Sequence, residues 1–356
     1  MLSDEALGMP PLKEIVNRVI MWSAYFAEGG PAGRLSMKIS KPVVPLVVVL
    51  SLGATQLAAQ GQGQGRGGPP PVVSERATPE IMNEDPQTEQ RSQDRVGFPA
   101  HKIIGNLYYI GTVTLSSYLI TTPQGNIVIN SNYEETLPLM KKAIESLGFK
   151  MEDTKILLAS HAHGDHQAGD AMFKQMTGAQ TMFMTEDVPA LQNMKPGGKE
   201  HPIDRVLHDG DKVELGGMTL TAHLTPGHTL GTTAWTFPVR DNGRTYNVVI
   251  VGAGLPDDAR IVYNQANPNA AEQWAETIRK LESYPCDVFL GAHSWFFNLT
   301  GKHKTLQANP KQNPYIDAAG YKKFVAAMKM TREKLVKEQT AAGPPVPRGG
   351  GAGRGN

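Results

Sequence analysis

The stretch Ile156-Leu157-Leu158-Ala159-Ser160-His161-Ala162-His163-Gly164-Asp165-His166 decides the fold. Its first four residues are apolar and read as a short buried strand, Ile156–Ala159. The side chains after it then project from a sheet edge into a cleft. Alternate residues of extended backbone point the same way, so His161 and His163 are expected to pinch one ion. Gly164 permits a sharp turn, after which Asp165 and His166 face a second position.

Two further histidines are expected on turns after strands. His228 stands in Thr225-Pro-Gly-His-Thr-Leu-Gly231, and His293 ends Leu290-Gly-Ala-His293. Five imidazoles and one carboxylate make two three-ligand sites, and open three-ligand coordination marks catalytic rather than structural zinc. Imidazole with one carboxylate suits Zn²⁺, whereas iron or manganese is expected with more oxygen ligands. A lone His-x-His pair is a weak signal; the full run after a strand, with Gly-His and Ala-His at later strand ends, is specific. His101, His201, His208, His223 and His303 stand alone, and each is expected at the surface or in packing.

Around this stretch, strands and helices alternate. Strands are expected at Leu107–Thr112, Ser117–Thr121, Ile127–Asn130, Thr181–Met184, Lys212–Leu215, Met218–Leu224, Thr232–Phe237, Tyr246–Val251 and Val288–Gly291. Helices are expected at Glu134–Leu147, Ala168–Met176, Val188–Met194, Ala270–Leu281 and Ala318–Glu338. Strands outnumber what a doubly wound sheet needs, and hairpins are mixed with crossovers. The pattern fits an α/β fold of the αββα type, a four-layer sandwich of two sheets covered by helices.

The chain's 356 residues divide unevenly. From Met37 it reads MKISKPVVPLVVVLSLGATQLAAQ: two lysines, an apolar run, then small residues at Ala58-Ala59. That is the layout of a secretory signal at 37–59, with cleavage after Ala59. The run is shorter than the ~20 apolar residues a span needs, so no stable membrane anchor is expected. Residues 1–36 read as an over-extended start, which leaves Met1 and Met37 as competing starts. Residues 60–95 read as a disordered linker, 96–340 as one catalytic domain, and 341–356 as a disordered Gly/Pro tail. The leader implies a periplasmic or secreted protein. With 35 Lys+Arg against 34 Asp+Glu the chain is formally +1, so no nucleic-acid partner held by a strong overall positive field is expected. The single cysteine, Cys286, excludes an intramolecular disulfide and a Cys-rich zinc module.

From about Val96 to Val336 the chain resembles a metallo-β-lactamase-fold hydrolase, most like the third subclass of class B β-lactamases, whose site has no cysteine ligand. The stretches that carry the likeness are SSYLITTPQGNIVI, LGFKMEDTKILLASHAHGDHQAG, LTPGHTLGTTAWT, PCDVFLGAHSWFF and NPYIDAAGYKKFV. The resemblance implies two Zn²⁺ per chain, held by His161, His163 and His228 at the first position and by Asp165, His166 and His293 at the second. Glyoxalase-type thioesterases and lactonases of this fold place a bridging Asp after the strand that follows the Gly-His turn. Here the strand ending at Val251 runs into Gly252-Ala253-Gly254, with neither Asp nor Cys, and both absences point to the third subclass. Members of that subclass often carry serines there that bind a substrate carboxylate, whereas Ala253 and Leu255 offer no hydroxyl.

Two Zn²⁺ sharing a water would lower its pKa to roughly 7, so no protein nucleophile is required, and no G-x-S-x-G elbow is present. Asp165 is the expected catalytic carboxylate, orienting that water. The expected reaction is hydrolysis of the β-lactam amide of penicillins, cephalosporins or carbapenems, which would give resistance to them. The alternatives are a lactonase, thioesterase or phosphodiesterase on the same scaffold, or a non-catalytic zinc-binding envelope protein. Trp295-Phe296-Phe297 beside His293 is expected either as a pocket wall or as a buried strand end.

Overall fold

The computed structural model describes residues 93–345. Residues 1–36, the leader expected at 37–59, residues 60–92 and residues 346–356 lie outside the described residues.

The first sheet runs in chain order through β1 (His101–Ile104), β2 (Leu107–Tyr109), β3 (Tyr118–Thr122), β4 (Gly125–Ile129), β5 (Thr154–Leu158), β6 (Gln180–Met184) and β7 (Arg205–Leu207). It is antiparallel as far as β4 and parallel from β4 to β7. The second sheet has the order β12-β11-β10-β9-β8, made of β8 (Lys212–Leu215), β9 (Met218–Leu224), β10 (Thr233–Asp241), β11 (Arg244–Val251) and β12 (Val288–Gly291). Only its β11–β12 pair is parallel.

The layering follows from period-2 alternation along the strands. On β4, Ile127 and Ile129 join the large core that includes Leu220, Ala222, Trp235 and Phe237 of the second sheet. Val128 between them, with Leu157 of β5 and Leu119 of β3, packs outward. That outer face is covered by helix α1 (Leu137–Ser146), through Leu137, Met140 and Ile144, and by Phe173. The second sheet is covered by Trp274, Ile278 and Leu281 of a helix at Ala270–Ser283, and by Tyr321, Phe324 and Met328 of one at Ala318–Ala342. Helix, sheet, sheet and helix make the αββα sandwich.

Several boundaries differ from the sequence expectation for physical reasons. Strand β10 continues past Phe237 through Pro238 to Asp241, and Asn242-Gly243, at φ +48° and +80°, turns it into β11. Both turn residues take the positive φ of a two-residue hairpin. Pro238 is tolerated because β9 pairs with β10 only as far as Thr236, leaving that side of the strand open as at a sheet edge. The helix at Leu299–Ala308 and the short strands β1 and β7 were not expected; that helix buries Leu299, Lys302 and His303 rather than an apolar stripe. At the ends, Asp94 is buried and accepts a 2.6 Å hydrogen bond from Thr114, inside the expected linker. The last helix runs to Ala342, past the expected domain end, and stops at Gly343, whose φ of +71° suits glycine. Among the described residues no helix is long and apolar enough to cross a membrane.

Candidate metal centre

Three loops bring the predicted residues together. Residues 159–166 follow β5, residues 225–232 join β9 to β10, and residues 292–297 follow β12. Ring centroids of His161 lie 4.9 Å from His163, 4.5 Å from His228 and 4.3 Å from His166. On the far side, Nε2 of His166 lies 3.3 Å from Nε2 of His293. Asp165 Oδ2 reaches those two atoms at 3.3 and 3.7 Å. Donor atoms of His161, His163 and His228 form one compact group, and those of His161, Asp165 and His166 form a second that shares His161. All six residues expected from the sequence therefore converge.

The local backbone corrects the sequence argument at two points. His161 and His163 do not meet by strand alternation: β5 ends at Leu158, and the His163 amide donates to the His161 carbonyl at 2.9 Å, a three-residue turn. Gly164 takes no special conformation. It opens a single helical turn, Gly164–Gln167, and a Cβ there would meet no atom within 4 Å. The sharp turn lies at His161–His163 instead.

The cluster's electrostatics follow from burial. His161 and His166 are 2% and 0% exposed. Loss of hydration holds the pKa values of His161, His166 and His293 well below the ordinary imidazole value, with the neighbouring imidazoles adding to the effect. The same causes push His228 down to about 4, against a small opposing pull from Asp165. These rings are thus neutral at pH 7 and present lone pairs. His161 Nδ1 lies 3.0 Å from the Gly252 carbonyl, which can only accept, so Nδ1 carries the proton. Nε2 of His161 is then a bare lone pair, buried and without a partner. An orphaned acceptor facing other imidazoles and a carboxylate fits a divalent cation, and an imidazole-rich set suits zinc.

Residues that the sequence reading did not single out hold this arrangement. Gln167 donates its amide to the His161 carbonyl at 3.1 Å, and the Ser160 amide donates to Asn130 Oδ1 at 2.9 Å. The Asp187 carboxylate accepts from the Ala162 amide at 2.8 Å and from the Gly231 amide at 2.7 Å. Behind His166, Ser131 donates to Asp170 at 2.6 Å, and the buried His201 lies 3.2 Å from the other Asp170 oxygen. The Ser294 amide donates to the Thr114 carbonyl and the Ser116 amide to the Ala292 carbonyl, which pins His293 to the loop between β2 and β3.

The aromatic run divides between its two expected roles. Phe296 and Phe297 are buried in the core, whereas Trp295 stacks on the His293 ring at 4.1 Å with 26° between planes. Ala253 and Leu255 are buried, and Asp257 accepts from Thr331 on the last helix, so none of the three offers the site an oxygen. The five solitary histidines stay outside the cluster: His101 contacts Tyr315, His201 faces Asp170, His208 lies near Asp211, His223 meets Thr236, and His303 packs on Phe98.

Comparison with known proteins places this geometry. The profile described as the metallo-beta-lactamase superfamily matches residues 111–293. The native FEZ-1 metallo-beta-lactamase from Legionella gormanii is 43% identical, over 69% of this chain and 98% of its own, with a TM-score of 0.66. BJP-1, a subclass B3 metallo-beta-lactamase of Bradyrhizobium japonicum, is 30% identical over 71% of this chain and 98% of its own, with a TM-score of 0.65. A curated relative, the hydroxyacylglutathione hydrolase of Cereibacter sphaeroides, is 31% identical over 140 residues; the match spans 38% of this chain and 46% of that protein. The solved structures are matched almost end to end and the curated hydrolase over less than half its length, but all share one superfamily. The chain belongs to the metallo-β-lactamase superfamily.

Proposed function

We propose that the chain is an exported dizinc hydrolase that opens the amide bond of β-lactams. The observation that carries this reading is the ligand set: five imidazoles and one carboxylate converge, with no further carboxylate at the end of β11. In this reading His161, His163 and His228 hold one ion, and Asp165, His166 and His293 hold the other. Zinc held by these residues would supply an acidified water and polarise the substrate carbonyl.

The chain's own residues do the rest. The Gly252 carbonyl fixes the His161 tautomer, and neutral rings keep their lone pairs for the metal rather than for protons. Asp165 is partly exposed at the cleft beside His166 and His293, where its carboxylate would orient the water that the metal supplies. Trp295, half-buried and stacked on His293, would supply apolar surface at the rim of the site.

A second reading is favoured by the curated relatives, which are named as hydroxyacylglutathione hydrolases and would imply thioester cleavage. The missing bridging carboxylate weighs against it. The test loads the full chain with Zn²⁺ and offers a penicillin, a cephalosporin, a carbapenem, a lactone and a hydroxyacylglutathione thioester, each with and without chelator. Chelator-sensitive turnover of at least one β-lactam is expected. Turnover of the thioester or lactone with no β-lactam opened would overturn the reading. Two bound zinc ions with no turnover at all would favour a zinc-binding protein.

A further inference from the structure

Asp187 occupies a helix N-cap and does not cap its helix. It ends the short turn Thr185–Asp187 and precedes the helix Val188–Asn193, yet its side chain makes no capping bond there. An aspartate at that position ordinarily accepts from the first-turn amides. Here both oxygens face the other way, and the residue is only 4% exposed. Oδ2 accepts from the Ala162 amide at 2.8 Å and from the Thr229 hydroxyl at 2.9 Å, and Oδ1 accepts from the Gly231 amide at 2.7 Å.

Those donors lie in two different loops. Ala162 sits between His161 and His163, while Thr229 and Gly231 follow His228. One carboxylate therefore grips the backbone on both sides of the first three-histidine group. Its approach is close enough to dictate a residue type: a Cβ on Gly231 would lie 2.5 Å from the Asp187 amide nitrogen and 2.7 Å from its Cβ. The void left beside it, lined by Ser160, His161, Gln167 and Gly231 among others, measures about 10 Å³. That is at the bottom of the roughly 10–15 Å³ a single water needs, so there is room for at most one water beside the carboxylate.

We propose that Asp187 is a positioning residue that sets the spacing between the His161–His163 loop and the His228 loop, and so tunes metal affinity at that group rather than at the Asp165, His166 and His293 group. The proposal rests on the metal reading above. Groups behind metal ligands typically change affinity by about 10–100-fold when lost. Asp187→Ala removes three hydrogen bonds at once. Asp187→Asn keeps an acceptor oxygen but turns an NH₂ toward one of the donors, so it restores part of the loss.

The test measures Zn²⁺ affinity by competition with a chromophoric chelator in two backgrounds. His293→Ala leaves the first group intact, and His228→Ala leaves the second. Asp187→Ala is expected to weaken Zn²⁺ about 10–100-fold in the His293→Ala background and much less in the His228→Ala background, with Asp187→Asn between Ala and the parent. If the alanine variant does not fold, the asparagine variant carries the same comparison. A purely structural anchor would weaken both backgrounds alike, and that result overturns the proposal. Two zinc ions in the parent with no change in either Asp187 variant overturns it while leaving the metal reading intact. A parent chain that binds no zinc overturns both.

Discussion

Two groups of histidines pack ring against ring in this fold, and they look alike until their lone pairs are followed. His101 and His161 each direct Nδ1 at a backbone carbonyl, of Pro99 at 2.7 Å and of Gly252 at 3.0 Å. Each is packed against a second imidazole, His303 at 4.4 Å and His166 at 4.3 Å between centroids. Burial pushes His101 down to about 4, as it does His228 in the other group. The difference lies at the far nitrogen. His101 Nε2 accepts from the Tyr315 hydroxyl at 2.6 Å, which closes the ring's hydrogen bonding. His161 Nε2 accepts nothing and faces His163, His166 and His228. A depressed pKa thus marks burial, and a converging set of free lone pairs marks a site.

The largest expected effect breaks the comparison at its strongest point. His163→Ala should abolish hydrolysis, a loss greater than the roughly 10–100-fold typical of groups behind the ligands. On the dizinc reading proposed above, zinc content, read by metal analysis after dialysis, should fall from two ions toward one. His101→Leu should leave zinc content and turnover unchanged. Retained activity in the first variant, or lost zinc in the second, would reverse the roles of the two groups.

His101→Leu should instead show in stability. Tyr315 is fully buried, and its hydroxyl would lose its acceptor. Stranding a buried polar group costs about 1–3 kcal/mol, readable as a lower denaturant midpoint. Its pH dependence has a definite sign. An unfolded histidine takes up a proton near pH 6.5, whereas folded His101 resists protonation down to about 4. Between those values the unfolded chain binds more protons, so stability falls as pH drops from about 6.5 toward 4. Denaturant curves at several pH values should show this slope in the parent and a shallower one in His101→Leu. The metal group adds a slope of the same sign in chelated protein, and bound zinc should keep that slope and extend it to lower pH, because zinc binds only the unprotonated ligands.

How much of this was legible depended on range. The strands Lys212–Leu215, Met218–Leu224 and Val288–Gly291 agree residue for residue with the structure, because alternation and flanking turns are local signals. The convergence of the six expected residues was legible because their motifs sit at strand ends, where short loops leave them little choice of place. Strand β10 was cut short at Pro238 because the open flank that tolerates a proline is a property of the sheet, not of the neighbouring residues. Asp187 was invisible for the same reason. It directly precedes the helix Val188–Asn193, and only the fold brings Ala162 and Gly231 to its oxygens. The Asp170–His201 contact likewise joins residues far apart in the chain.

The smallest expected effect is the sharpest form of the comparison. His303 shares with His161 the feature that marked the site: buried ring nitrogen without a partner, here both atoms. Its neighbours differ, since Phe98 stands edge-on at 5.1 Å and the adjacent His101 is already satisfied by Pro99 and Tyr315. Among the described residues no carboxylate or free imidazole lone pair converges with it, so its orphaned atoms are a cost rather than a ligand. Replacing an unsatisfied buried polar ring with an apolar side chain of similar size is often neutral or stabilising. His303→Leu should therefore leave zinc content unchanged and shift stability by no more than about 1 kcal/mol, upward if at all. His161→Leu, the same substitution at the other orphan, should release metal. If His303→Leu loses zinc or unfolds the chain, an unpartnered nitrogen alone would be enough to mark function, and the geometry of convergence would not be what separates the two groups.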